Sequence, residues 1–253
     1  MTLKIEKQNA IATVTIDRPP VNALTLALYG EIAETFEAAK AWDDVNVIVF
    51  TGAGEKAFCA GLDLNEFLAA TIQDDPKRAA IVRRSFAAVR HAPVPVIAAV
   101  NGPAFGAGCV YASVADIRIA AEHARFGMPE INVGRCGGAA HMTRHLPQGL
   151  LRRMYFTGQP IDAREAWRVG FVQEVVPFAE LAPTAQAMAA VIAAKAPIGL
   201  RMAKEALNRV EFMQTEDGYE LEQSFSTRLM TTEDAREATR AVVEKRPPVF
   251  VGR

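Results

Sequence analysis

Three glycine-bearing segments hold residues whose types and spacing could stabilise an anion. They are Ala57-Phe58-Cys59-Ala60-Gly61-Leu62-Asp63-Leu64, Asn101-Gly102-Pro103-Ala104-Phe105-Gly106-Ala107-Gly108-Cys109 and Phe126-Gly127-Met128-Pro129-Glu130. The first two follow apolar runs, Val47 to Thr51 and Val94 to Val100, that read as buried strands, and each leads into a helix-like stretch. A strand entering a glycine turn that opens a helix leaves backbone N–H groups without acceptors, and such groups favour negative charge. Two of these turns can form an anion-stabilising pair facing one carboxylate, Glu130. Tight strand–helix packing would also explain Gly61, Gly106 and Gly108. The pairing of the turns favours the site.

Other chemistries fit less well. Cys59, Cys109 and Cys136 are too few and scattered for a disulfide framework and lack the paired spacing of a zinc site, so they read as free thiols. Cys59 and Cys109 lie inside the glycine turns, where a helix N-terminus could activate a thiolate, but small-residue packing is the simpler explanation. There is no G-x-S-x-G elbow, and His91, His123, His141 and His145 show no partnership that would complete a hydrolytic triad. A phosphate-binding G-x-x-x-x-G-K-S/T motif and a dinucleotide fingerprint are also missing. No metal or redox cofactor is implied.

At 253 residues, 50% hydrophobic and 23% charged, the chain can bury a full core. A formal net charge of −1 provides no basic field for nucleic acid and no polybasic membrane address. The amino terminus alternates charged and apolar residues, unlike a signal-peptide core, and no apolar run reaches membrane-spanning length. The expected setting is the cytoplasm, and the expected partners are small molecules or further copies of the chain.

The scaffold that would position these turns reads as α/β. Leu3 to Glu6 and Ile11 to Ile16 form a hairpin pattern joined near Asn9. After Arg18-Pro19-Pro20, Asn22 and Thr25 are candidate N-caps of a helix reaching about Trp42, with Leu28, Ile32, Phe36 and Ala39 at helical spacing. Val47 to Thr51, Val94 to Val100 and Asp116 to Ala120 then alternate with helices, the order of a parallel arrangement. Beyond about Pro177 the pattern is helical, with segments Leu181 to Lys195, Gly199 to Phe212, Asp217 to Met230 and Glu233 to Lys245. We divide the chain into a core, residues 1–176, and a helical region, residues 177–253, which lacks a Ser/Gly-rich linker and should pack on the core or on a neighbouring subunit.

With its motifs in this order the chain resembles the enoyl-CoA hydratase/isomerase, or crotonase, family. The resemblance spans nearly the whole length and rests on Arg18-Pro19-Pro20-Val21-Asn22-Ala23-Leu24, Lys56 to Leu64, Asn101 to Gly108, Phe126 to Glu130 and Glu244-Lys245-Arg246-Pro247. It implies a spiral core of ββα turns, a carboxy-terminal helical region used to form trimers, and often a hexamer of two trimers. It also implies an acyl-CoA thioester substrate, with coenzyme A as part of the substrate and no separate cofactor.

Removing a proton beside a thioester carbonyl, or adding a nucleophile to its conjugated double bond, puts negative charge on the carbonyl oxygen. By their positions in the matched motifs, the N–H groups of Leu62 and Ala107 would hold that oxygen. Losing one such donor costs about 2.7–4 kcal/mol of transition-state stabilisation. Glu130 stands where the family carries a catalytic glutamate, and Met128, Ile131 and Val133 would give it an apolar setting. Without the resemblance it reads as an exposed acid at a helix start. Gly138 matches a position whose N–H helps hold the reactive water in hydratases. For coenzyme A, the resemblance points to Lys56 before the first turn, to Asn22 and Ala23, to Ala60 and Asp63 around the first donor, and to Lys245 near the carboxyl end. Lys56 and Lys245 read otherwise as solvated side chains.

Val110 is the main departure, standing where two-glutamate hydratases carry their second glutamate. Hydration commonly uses two carboxylates, whereas moving a double bond can use one base that takes a proton and returns it elsewhere. Single-glutamate isomerisation is therefore the expectation. Hydration is the nearest alternative, and decarboxylation, dehalogenation or thioester hydrolysis would use the same oxyanion site. A noncatalytic CoA- or RNA-binding scaffold is the reading of another class. Asp63 and Glu66 could replace the missing acid, but Asp63 reads as a helix stabiliser and Glu66 as solvated. Ala140, His141 and Met142 replace a common Gly-Gly-Thr, and Arg135 and His141 read either as acyl contacts or as a surface Arg and a packed His.

Overall fold

A computed structural model of the chain describes residues 2–253. The alternating amino terminus forms the hairpin of β1 (Leu3–Gln8) and β2 (Ile11–Ile16), with Leu3 opposite Ile16 and Gln8 opposite Ile11. β2 then pairs in parallel with β3 (Val47–Gly52), and parallel pairing continues through β4 (Val96–Val100), β6 (Ile117–Ala121) and β9 (Glu174–Val176). The resulting sheet has the order β1-β2-β3-β4-β6-β9. Both faces of its centre are covered, which is why β3 and β4 are continuous apolar runs rather than alternating ones. Ile48, Phe50, Val96 and Ala98 pack into a core shared with α1 (Leu26–Ala38), α3 (Asp75–Arg90) and α4 (Ala107–Val114). Val47, Val49, Ile97 and Ala99 point the other way, onto Leu181, Ala185 and Ala189 of α8 (Phe178–Ala193).

A small second sheet, β5 (Ala104–Phe105), β7 (Arg125–Gly127) and β8 (Ile161–Asp162), ties the second and third glycine segments together by pairing Phe105 with Gly127. The remaining helices are α2 (Leu64–Ala69), α5 (Ala139–Met142), α6 (Gln148–Thr157), α7 (Ala163–Arg168), α9 (Pro197–Val210), α10 (Thr215–Leu229) and α11 (Glu233–Glu244). Among the described residues no single helix is long and apolar enough to cross a membrane.

Several details differ from the sequence reading. α1 stops at Ala38 and tightens into a 3-10 turn over Ala39–Ala41, short of Trp42. Its N-cap is Thr25, whose hydroxyl accepts from the Leu28 N–H at 3.2 Å. Asn22 is not a cap: it sits at φ 55° and its amide donates to Ala53 O and Ala57 O at 3.1 and 2.9 Å. The 16-residue α3 was not singled out in the sequence reading: Val82, Phe86 and Val89 keep helical spacing, but the stripe is short and charged residues, among them Arg78, Arg83 and Arg84, fill the other faces. Strands of two or three residues, such as β5, β7 and β8, are too short to leave a period.

Candidate active site

The first glycine turn is fixed by two buried asparagines. Asn22 holds Ala53 O and Ala57 O, while the Asn101 amide donates to Gly54 O at 2.6 Å and its oxygen accepts from Gly52 N at 3.1 Å. The second turn lies directly against the first. Pro103 O accepts from Phe58 N and Cys59 N at 3.1 and 3.3 Å, and Cys59 O accepts from Phe105 N at 3.0 Å. A Cβ on Gly61, which has φ 91°, would stand 2.8 Å from Phe105 O and 3.5 Å from Ala107 N. The start of α4 therefore abuts the turn that carries Leu62. Leu62 is pinned on both sides, since Gly61 O accepts from Leu24 N at 2.7 Å and Asp63 N donates to Leu24 O at 2.9 Å.

Neither the Leu62 N–H nor the Ala107 N–H finds an acceptor among the described residues, and both residues line one cavity of about 920 Å³. Glu130 reaches that cavity from a 3-10 turn over Pro129–Val133. Its carboxylate lies over Gly106, where a Cβ would meet Oε1 at 2.8 Å, and Gly106 has φ 53° and ψ −119°, a backbone open to glycine alone. Glu130 Oε2 is buried and has no hydrogen-bond partner. Burial pushes the carboxyl pKa above its ordinary value, with a backbone hydrogen bond opposing it. An upward shift is the direction that general acid/base work near neutral pH calls for. Val110 is an apolar part of the same lining: a Cβ on Gly138 would stand 2.8 Å from Val110 Cγ2 and 2.8 Å from Met128 Cε.

The other acids near the cavity are engaged. Asp63 caps α2 through Asn65 N and Glu66 N at 3.0 and 3.1 Å and pairs with Arg18 at 2.6 Å. Glu66 is not solvated as the sequence implied: it accepts from Leu26 N at 3.0 Å and pairs with Arg78 at 3.1 Å. Arg135 pairs with Asp75 at 3.2 Å across the face of Phe67, and His141 packs edge-on to Phe86 with ring centroids 5.5 Å apart. Both line the cavity. Cys59 and Cys109 are fully buried, and burial pushes the Cys59 thiol up to about 12 and raises Cys109 as well, which suits packing rather than nucleophilic attack.

Leu62, Ala107, Glu130 and Gly138 thus meet at one cavity, together with Ala23, Ala60 and Asp63. Asn22, Lys56 and Lys245 lie outside its lining: Asn22 is consumed in bracing the first turn, Lys56 is exposed on the loop before it, and Lys245 ends α11 at φ 52°. Sequence reasoning missed Tyr29, Arg78, Arg83 and Phe86, all in the lining. Tyr29 lies one residue beyond Leu28 on α1 and was not singled out, and the three others fell on the unrecognised α3. Among the described residues no group of three or more His, Cys, Asp or Glu could hold a metal ion.

A mostly parallel sheet crossed by paired glycine turns, with unclaimed N–H groups facing one buried carboxyl, defines the crotonase fold with an oxyanion-type site. Comparison with known proteins specifies the family. The enoyl-CoA hydratase/isomerase profile matches residues 6–253. The chain is 36% identical over 246 residues to the short-chain-enoyl-CoA hydratase of Clostridium acetobutylicum, covering 96% of this chain and 94% of that protein. It is 37% identical over 225 residues to the (7aS)-7a-methyl-1,5-dioxo-2,3,5,6,7,7a-hexahydro-1H-indene-carboxyl-CoA hydrolase of Rhodococcus jostii, covering 87% of this chain and 86% of that one. The crystal structure of an enoyl-CoA hydratase from Bacillus anthracis matches with a TM-score of 0.96 at 31% identity over 100% of both chains. The protein belongs to the enoyl-CoA hydratase/isomerase family and is an enzyme acting on acyl-CoA.

Proposed function

We propose that the enzyme moves the double bond of an enoyl-CoA thioester, with Glu130 as its single acid/base. The observation that carries this reading is the buried Oε2 of Glu130, which has no partner, beside Val110 where a second carboxylate would stand. In a 3-enoyl thioester, Glu130 takes a proton from the carbon beside the carbonyl. The electron pair moves onto the thioester oxygen, held by the N–H groups of Leu62 and Ala107. Glu130 returns the proton to the far end of the dienolate, the double bond enters conjugation, and no atom is gained or lost. Ala23, Ala60 and Asp63 line the path for coenzyme A, with Lys56 and Lys245 as phosphate contacts reached at the cavity's outer edge or from a neighbouring subunit. Assembly as a trimer or a hexamer of two trimers belongs to this reading, supported by the exposed Leu207, Phe212, Tyr219, Met230, Val242 and Val243 of the helical region. The reading places the enzyme in the cytoplasm, where an exposed free thiol such as Cys136 stays reduced.

Hydration is the second reading, favoured by the hydratase name of the Clostridium relative and by Gly138 lying in the cavity lining. Paired 2-enoyl- and 3-enoyl-CoA substrates turned over in heavy-oxygen water and read by mass spectrometry separate the two. Double-bond migration without label is the expected result. Incorporation of labelled oxygen at a rate matching or exceeding migration would replace isomerisation with hydration.

A further inference from the structure

One end of the cavity is lined by polar groups that the proposed reaction does not use. Tyr29 is 2% exposed, its ring clasped edge-on by Phe86 at 6.1 Å and tilted against Tyr111 at 6.3 Å. Its hydroxyl has no hydrogen-bond partner among the described residues, yet it is not sealed off as Glu130 Oε2 is, and the residue lines the cavity. On the other side of Phe86 stands His141, whose ring nitrogens also lack partners among the described residues. One turn before Phe86 on α3 is Arg83. The three other arginines of the lining are each paired, Arg18 with Asp63, Arg78 with Glu66 and Arg135 with Asp75, whereas Arg83 has no acidic partner among the described residues.

A guanidinium only donates, while the Tyr29 hydroxyl and the His141 ring can each donate or accept. A hydrocarbon tail that displaced water from the buried Tyr29 residue would leave its hydroxyl without a partner, and it would offer no countercharge to the exposed Arg83 guanidinium. The ligand that satisfies them is one that accepts hydrogen bonds and carries negative charge. We propose that the acyl group of the substrate ends in a carboxylate, read by the Tyr29 hydroxyl and the Arg83 guanidinium with His141 beside them. This rests on the acyl-CoA reading of the cavity. It makes Tyr29 and Arg83 specificity-determining residues.

The test measures kcat/KM of the purified full chain on enoyl-CoA thioesters of equal length ending in a methyl group, a neutral methyl ketone or a carboxylate. The carboxylate is expected to exceed the methyl by about tenfold or more, the value of one charge-assisted hydrogen bond. Tyr29→Phe and Arg83→Leu, checked for folding by circular dichroism, are each expected to lower that ratio by about fivefold or more. Equal use of carboxylate and methyl, a preference for the ketone over the carboxylate, or a ratio that neither substitution moves would each overturn the proposal. Calorimetric binding of the saturated thioesters repeats the comparison without chemistry. If no enoyl thioester turns over but the carboxylate thioester still binds more tightly than the methyl one, the proposed reaction fails while the acyl assignment stands. Normal turnover with both thioesters bound alike would keep the reaction and overturn the acyl assignment.

Discussion

Replacing Gly108 by alanine sets two effects against each other. Gly108 is the second residue of α4, and inside a helix alanine is better than glycine by about 1 kcal/mol. Helix propensity alone therefore predicts a slightly more stable enzyme. The packing predicts otherwise, because a Cβ there would stand 2.1 Å from Cys59 O and 2.9 Å from both the carbonyl carbon and the Cβ of Cys59. Carbon and oxygen in close contact settle at about 3.3 Å, so the two turns must part by roughly 1 Å. Cys59 cannot rotate away, since its carbonyl is backbone and already accepts from Phe105 N at 3.0 Å. The displacement passes to the Leu62 and Ala107 N–H groups, which lie on these same turns. A misplacement of about 1 Å at a positioned group costs on the order of 10²-fold, and loss of one oxyanion donor costs about 10²–10³ in kcat. We expect Gly108→Ala to lose about 10² in kcat and, from overpacking, about 1–3 kcal/mol of stability. Steady-state kinetics and urea denaturation measure both. A variant at least as stable as the parent with undiminished kcat would show that the turns do not touch as described, or that they do not carry the oxyanion donors.

Glu130→Gln should lower kcat by about 10²–10⁴ while leaving the fold intact. It should also raise stability at neutral pH: burial raises the Glu130 pKa in the folded state, so the stability it contributes declines as pH rises from the ordinary carboxyl value through the raised one. Thermal denaturation at about pH 4 and about pH 8 should show parent and variant alike in acid and the variant more stable at the higher pH, and a gap that is absent or reversed there would contradict a desolvated carboxyl. The same raised pKa sets the acid limb of kcat/KM, which should lie above that of an ordinary glutamate; a limb at or below it would remove Glu130 as the base. Val110→Glu brings a carboxylate to the side chain that crowds Gly138 and should create or increase incorporation of labelled water, at roughly 1–3 kcal/mol of stability for burying a polar group. No gain in label would detach hydration from the acid at that position. Arg118→Met removes a 3%-exposed guanidinium that donates to Ala112 O and Ala115 O at 3.2 and 2.8 Å and to Phe171 O. It should cost roughly 3–5 kcal/mol in urea denaturation, since three carbonyls lose a charged donor.

What the sequence disclosed follows from which interactions are local. Val47 to Thr51 and Val94 to Val100 read as buried strands because both faces of β3 and β4 are covered, and that leaves an uninterrupted apolar run. Thr25 and Asp63 read as helix starts because a cap hydrogen bond spans only two or three residues. The glycine turns and their pairing were read from the residues, and the family resemblance supplied the particular donors, Leu62 and Ala107. Asn22 could not be read correctly, because its partners Ala53 and Ala57 lie 31 and 35 positions away. Glu66 failed for the same reason: its acceptor role to Leu26 N spans 40 positions, so a charged residue in a short helix looked solvated. α3 was not singled out although Val82, Phe86 and Val89 keep helical spacing, because its apolar stripe is short and charged residues fill its other faces.

The division of labour in the cavity explains how one scaffold can serve several reactions. In the proposed reaction the oxyanion donors are backbone groups, braced by the close contacts of Gly61 and Gly108 with the facing turn, so side-chain changes at Leu62 or Ala107 would leave them in place. Charge on the thioester oxygen can therefore be stabilised whatever happens to the rest of the acyl group. On the proposed reading the outcome is decided by two side chains, Glu130 and Val110, the second of which also belongs to the buried core. Glu130 bears a desolvation cost that no partner offsets, as expected of a residue kept for chemistry rather than for folding. Val110 bears none, and by filling the space next to Gly138 with carbon it lowers the affinity of that spot for water. On the proposed reading, one buried base with an apolar side chain at position 110 shuttles a proton along a dienolate more readily than it orients a hydroxyl for addition, which is the distinction that Val110→Glu tests.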